Sequence, residues 1–223
     1  MKRREFITLL SGAAAGWSLV AHAQQGERMR RVGVLLGGGG EDDLDAQVRV
    51  AAFLQELQKL GWTDGRNVRI DTRWGAGDPA NIPKLAVELA ALAPDVILAA
   101  GGAVVGPLLQ ATRTVPVVFV IVPDPVGAGF VDRLARPGGN ATGFLMFEYG
   151  ISAKWLELLK QIAPGVTQAA VLRDPAITAG IGQWGAVQTA APSFGVEVSP
   201  VGMRDADEID RGIAAFALDR IAA

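Results

Sequence analysis

The run VPVVFVIVPDPVGAGFVDRLARPGGNATGF, residues 115–144, decides how the rest of the chain is read. Val115 to Val122 is apolar and β-branched on both faces, the pattern of a strand buried within a parallel sheet. Asp124 follows at once between Pro123 and Pro125, and a residue ahead of proline is pushed toward extended backbone. Val126 to Leu134 then has the spacing of a short amphipathic helix with Phe130, Val131 and Leu134 inward. The turn Arg136 to Asn140 feeds a crossing strand at Thr142.

Toward the N-terminus the same alternation repeats. RVGVLL (31–36) is a short buried strand that ends in glycines, and Asp45 to Leu60 places Val48, Ala51, Ala52, Leu54 and Leu57 at helical spacing, closed by Gly61. Asn67 to Trp74 alternates as a second strand. Ile82 to Ala93 is a helix with Pro83 in its first turn and Pro94 beyond its end, both tolerated positions. Asp95 to Ala100 is a third strand stopping at Gly101-Gly102, and Ala103 to Thr112 a third helix. Strands apolar on both faces, each followed by a helix, predict an α/β fold with a doubly wound parallel sheet and right-handed crossovers.

Beyond Gly143 the pattern restarts. Ser152 to Ala163 reads as a helix, Thr167 to Arg173 as a strand, Ile181 to Ala191 as a weaker helix, Val196 to Gly202 as a strand and Ala206 to Ala223 as a last amphipathic helix. Trp155, spaced with Leu158 and Leu159, is expected in the core. A second, smaller α/β unit therefore follows the first, and residues 124–144 lie at their junction.

The amino end, MKRREFITLLSGAAAGWSLVAHAQ, has a basic start, an apolar run from Phe6 to Ala21 and small residues Ala21 and Ala23. That is the form of an export signal cleaved near Ala23, too short and too interrupted to span a bilayer. Arg3-Arg4 ahead of Phe6-Ile7 resembles the twin-arginine signal, with general secretion as the alternative route. His22 is the only histidine and there is no cysteine, so removal of residues 1–23 leaves neither. A Ser-His-Asp triad, a Cys-His pair, a thiolate or imidazole zinc site and a disulfide are thereby excluded. The formal net charge is −2, without a basic stripe to invite nucleic acid.

Ligands of doubly wound sheets bind at the carboxyl ends of the strands. Here those ends are Gly37 to Asp43, Trp74 to Asp78, Gly101-Gly102 and Pro123 to Pro125. The glycines after the first strand do not make a dinucleotide fingerprint, because Asp43 stands where the third glycine would pack. Gly38 and Gly39 instead let a ligand approach the backbone closely. Gly101-Gly102 reads either as an anion site at a helix start or as a plain tight turn. Asp124 reads as a partner for an ammonium group or as a helix cap. Trp74, Phe147 and Tyr149 are candidate apolar walls, and Asp174, after the second unit's first strand, a contribution from the opposite side.

Several segments together resemble a known family: GVLL (33–36), FLQELQKLGWTDGRNVRIDTRWGAGD (53–78), the stretch 111–144 and KWLELLKQIAPGV (154–166). They are similar to the substrate-binding proteins of ABC-type importers, in the branch often associated with tryptophan and other aromatic amino acids. The resemblance implies a two-lobe periplasmic-binding-protein-like (type I) fold, with a first lobe over 31–144, a hinge near Thr142 to Phe147 and a second lobe over 145–223. It implies a non-enzymatic protein without cofactor or metal, located in the periplasm, which closes on a small amino-acid-like solute and delivers it to a membrane permease. Members usually continue for roughly a hundred residues more, so an incomplete second lobe is expected, with sheet edges lacking partners. Where the family often has a Gly-Thr pair after the third strand, this chain has Gly101-Gly102. The rival readings are an exported NAD(P)-dependent oxidoreductase, which would carry nucleotide, and a ligand-sensing domain of a signalling system.

Overall fold

The structure is a computed structural model that describes residues 28–222; the expected signal segment lies outside the described residues. Five parallel strands, β1 (Arg30–Leu36), β2 (Val68–Trp74), β3 (Val96–Ala100), β4 (Val117–Val122) and β5 (Ala141–Leu145), form one sheet in the order β2-β1-β3-β4-β5. Between them run α1 (Leu44–Lys59), α2 (Ile82–Ala91) and α3 (Gly102–Ala111). The expected doubly wound parallel sheet is present, with one more strand than the four counted from apolar runs: the crossing segment at Thr142 is hydrogen-bonded beside β4.

Both sheet faces are apolar because both carry helices. On one face Leu35, Ile97, Ala99, Val117 and Phe119 pack against Leu89 of α2 and Val104, Val105 and Leu108 of α3. On the other, Val34 and Leu36 pack under Ala46, Val50 and Phe53 of α1. Asp43 starts α1 as an N-cap, its carboxylate accepting the Ala46 N–H at 2.9 Å. At the amino ends of the strands Asp95 ties the start of β3 to β1, accepting from the Arg31 backbone N–H at 2.8 Å and from the Arg30 guanidinium at 3.0 Å.

The segment 126–134 is not the helix that its spacing predicts. It folds as successive turns, because Asp124 takes φ +37° and Gly129 φ +73°, backbone values that a right-handed helix does not contain. Phe130 and Val131 do turn inward, Val131 being buried, whereas Leu134 is exposed. The turn at 136–140 is pinned by Asn140, whose side-chain amide donates to the carbonyls of Thr112 and Val115 at 3.2 and 2.8 Å. Its backbone carbonyl accepts from Val117 at 2.8 Å, which sets β5 alongside β4.

After a short 3₁₀ turn at Tyr149–Ile151 come α4 (Ser152–Ile162), β6 (Gln168–Arg173), α5 (Thr178–Ala190), β7 (Glu197–Gly202) and α6 (Ala206–Ala222). β6 and β7 make a separate parallel sheet of two strands. Leu156 of α4, Val187 of α5, Ala191 and Val196 form its buried core, with Ala169, Val171 and Val198 packed against them. Trp155 is a correction to the sequence reading: it is 48% exposed, since Leu156 takes the core position of that helical turn. Among the described residues no helix is long and apolar enough to cross a membrane.

Candidate functional site

In the order β2-β1-β3-β4-β5, connections leave β1 and β3 in opposite directions, so the switch point lies between these two strands. The loops flanking it are close: the Gly37 N–H donates to the Ala100 carbonyl at 2.9 Å and the Gly101 N–H to the Val120 carbonyl at 2.9 Å. Gly39 packs over the start of α1, where a Cβ would stand 2.8 Å from that of Ala46. Around Gly38 there is open space, and both Gly38 and Gly101 border a cavity of about 410 Å³ lined further by Arg49, Phe53, Val120 and Ile121. That cavity lies against the sheet face beside α1, not across the strand ends.

Gly101 has φ +100°, a backbone that a side chain would strain, and it starts α3 without any side-chain cap. The first N–H groups of α3 are therefore offered to a ligand or to water. Pro123 stands 3.9 Å from where a Cβ of Gly102 would be, so the end of β4 borders the same helix start.

Asp124 is held by its neighbours on three sides. Its N–H donates to the Phe147 carbonyl at 2.8 Å, and its two carboxylate oxygens accept from the backbone N–H of Gly127 at 2.7 Å and of Tyr149 at 3.1 Å. The residue thus caps the turns after β4 and also fastens the chain after β5. Tyr149 is 9% exposed, its hydroxyl without a hydrogen-bond partner. Burial, and secondarily the charge of Asp124, push its phenol above the usual range. A Cβ on Gly127 would come within 2.9 Å of the Tyr149 ring, and one on Gly182 of α5 would overlap it. The ring therefore fills the space between the two units. Phe147 meets Trp155 edge-on, with ring centroids 6.5 Å apart.

A cleft of about 130 Å³ joins the two units, lined by Gly102, Ala103, Pro123 and Phe130 on one side and by Ile177, Thr178 and Ala179 on the other. The start of α5, like that of α3, has no side-chain cap. Two helix N-termini thus border one cleft, each presenting unpaired N–H groups and the positive end of its dipole.

Of the residues singled out in the sequence, Gly102 lines this cleft and Gly101 adjoins it, while Asp124 follows Pro123 of its lining and is bonded to the Tyr149 backbone N–H. Trp74, at the end of β2, packs into the apolar cluster beneath α1. Asp174 follows β6, accepts the Ala176 N–H at 2.8 Å and lines a cavity of about 270 Å³ with Trp155, Arg173 and Trp184. Sequence reasoning missed Phe130, Ile177, Thr178 and Ala179. An apolar residue ahead of a helix, such as Ile177, carries no local signal; only the packing of α5 against α3 brings it there. Among the described residues, no group of three or more His, Asp or Glu could hold a metal ion.

A five-stranded parallel sheet followed by a second α/β unit, with a cleft at the strand ends, defines the type I periplasmic-binding-protein fold. The chain belongs to the ABC transporter substrate binding protein family, whose model matches residues 41–220. It is 27% identical over 164 residues to a tyrosine-binding protein of Clostridioides difficile, a match that takes in 74% of this chain and 47% of the relative. Among solved structures it is similar to a conserved domain protein from Vibrio cholerae, with a TM-score of 0.73, 26% identity, 85% of this chain and 62% of that one covered. It shares its fold with an ABC domain from Streptococcus pneumonia in complex with L-Trp, with a TM-score of 0.71, 23% identity and the same coverage of 85% and 62%. The chain thus spans about half the length of its curated relative and under two thirds of these structures.

Proposed function

We propose that this protein is the solute-binding component of an ABC-type importer, with residues 31–144 as first lobe, 145–223 as second lobe, and a ligand cleft between them. The observation that carries this reading is the convergence of two uncapped helix starts, α3 and α5, on one cleft. Helix N-termini favour an anion, so the solute bears a carboxylate, held at Gly101-Gly102 from one lobe and near Thr178 from the other. A cavity of about 150 Å³ takes a benzene ring, and the cleft of about 130 Å³ is of that order, which suits an aromatic or amino-acid-like solute. The names of the tyrosine-binding relative and of the L-Trp complex support the same class.

In this reading Asp124 offers its remaining lone pairs to an ammonium group, while Phe147 and Tyr149 supply apolar walls; Trp74, packed beneath α1, supports the sheet and not the cleft. Gly38 and Gly39 keep the β1 loop open to the ligand, and Asp174 approaches from the second lobe. Binding acts by cleft closure about the crossing near residues 142–147. The protein performs no catalysis and needs no cofactor or metal. It is exported, loses its signal near Ala23, and hands its solute to a membrane permease from the periplasm.

Titration calorimetry of the folded protein with tyrosine, tryptophan and benzoate tests this reading. Saturable binding of at least one is expected; a well-folded sample that binds none of them, nor any other amino acid or small carboxylate, overturns it.

A further inference from the structure

Tyr149, the only tyrosine of the chain, is anchored to one unit and inserted against the other. Its backbone N–H donates to the Asp124 carboxylate at 3.1 Å, which fixes its root to the end of β4. Its ring lies between two glycines. A Cβ on Gly127 would stand 2.9 Å from Cε2, and one on Gly182 of α5 would overlap the ring as far as Cζ, the carbon that bears the hydroxyl. The hydroxyl end of the ring therefore lies against the second unit.

That oxygen is shut off from solvent and has no hydrogen-bond partner among the described residues, which by themselves complete its enclosure. A phenol is both donor and acceptor, and here it gives up its hydrogen bonds to water without a protein group in return. Nearly all buried polar groups are paired, so one that is not marks a conformation held against a penalty. The penalty belongs to the described arrangement of the two units. When α5 moves off the ring the hydroxyl regains water, while the bond from Tyr149 N–H to Asp124 stays in place. Gly182 follows Thr178 by four positions, so both lie on one face of α5. Thr178 lines the cleft, and the movement that uncovers the hydroxyl therefore also widens the cleft.

We infer that the Tyr149 hydroxyl biases the two units toward separation, and that closure on a solute works against this bias. The first half concerns the chain alone; the second rests on the solute-binding function proposed above. A ligand that favours the closed arrangement is weakened by whatever the protein spends in reaching it.

Tyr149→Phe keeps the ring between the glycines and removes only the hydroxyl. Without solute, small-angle scattering should give this variant a smaller radius of gyration than the wild type. With solute, titration calorimetry against tyrosine, tryptophan and benzoate should show binding about tenfold tighter than in the wild type, the factor that an unpaired buried group of ordinary cost produces; a residue acting only as an apolar wall would leave affinity unchanged. Nitration by tetranitromethane reads the ring directly, since the wild type has a single tyrosine. Gly182→Ala, which drives α5 from the ring, should speed it, and where that variant does not fold the scattering of Tyr149→Phe decides. Equal radii of gyration, or nitration that a folded Gly182→Ala does not speed, would overturn the bias. A more compact Tyr149→Phe that binds no tighter would overturn its link to closure. A wild type that binds none of the three solutes counts against the proposed function and the second half together, while scattering and nitration still decide the first.

Discussion

Asp124, at the end of β4, accepts the backbone N–H of Tyr149 at 3.1 Å, twenty-five positions along the chain. This bond and the one from Gly127 make the carboxylate a fastening between the last strands of the first sheet and the start of the second unit. Replacing Asp124 by Ala leaves two amide donors, one exposed and one half-buried, without their acceptor, a loss of about 0.5–2 kcal/mol, the usual range for removing a capping side chain. Asn keeps one acceptor oxygen, and its loss should be about half as large. Urea denaturation checks the order wild type, Asn, Ala; equal stability of all three would show that the fastening contributes nothing.

Gly182 of α5 lies against the ring of Tyr149, where a Cβ would overlap it. Gly182→Ala should therefore push the second unit away from the first or destabilise the chain by about 1–3 kcal/mol, the usual range for overpacking. Small-angle scattering and thermal melting report the two outcomes separately. Pairing it with Tyr149→Ala should restore stability in part, because the same space is then vacated.

The Tyr149 phenol titrates above its ordinary range because burial disfavours the phenolate. Its raised value makes a contribution to stability that is complete below the unfolded phenol's pKa and is lost as pH rises through the folded one. Tyr149→Phe should remove this alkaline decline. It should not weaken the protein at neutral pH by the amount of a hydrogen bond, since the hydroxyl makes none. Parallel melts of both proteins at neutral and alkaline pH test the sign.

Ala103 lies in the first turn of α3 and lines the cleft. An acid in a helix's first turn is favourable for the helix by about 0.3–1 kcal/mol. Ala103→Asp should thus leave the melting temperature unchanged or raised, while a carboxylate solute is repelled and its affinity falls at least about tenfold, near 1.4 kcal/mol. Calorimetry with the solute that binds best decides; unchanged affinity would move the carboxylate elsewhere.

At the opposite end of the sheet, the Arg31 backbone N–H, followed by the Arg30 hydrogen bond and the charge of Arg28, holds the Asp95 carboxyl below its usual range against an opposing effect of burial. A lowered folded pKa means that its stabilisation is complete above the unfolded carboxylate's pKa and lost as pH falls through the folded value. Asp95→Asn should flatten this part of the acid transition, and the difference between the two proteins should vanish at the lowest pH. Urea midpoints at several pH values below neutral measure it.

Much of the five-stranded sheet and its helices was legible in the sequence because a buried parallel strand is apolar on both faces and each crossover helix announces itself by period and cap. Val117–Val122 and Leu44–Lys59 are such elements. The segment after Pro125 was misread because apolar spacing does not register a left-handed Gly129, whose φ ends any helix there. Trp155 was misplaced for a related reason: helical spacing marks a face but not which of two adjacent large residues turns to the core. Around the cleft, Gly102 could be singled out from its position at a strand end, whereas Ile177, Thr178 and Ala179 have no chemical mark of their own.

By itself the sequence determined that the chain is an alternating α/β protein, that it lacks the histidine and cysteine chemistry of most hydrolases outside its signal-like start, and that glycines and Asp124 stand at the carboxyl ends of its strands. These follow from composition, period and turn chemistry, which are local. Tertiary structure alone decided that β5 joins the first sheet, that Tyr149 fills the space between Gly127 and Gly182, and that the starts of α3 and α5 share one cleft. Those are contacts between residues far apart in the chain, set by how the elements pack and not by any residue's own preference.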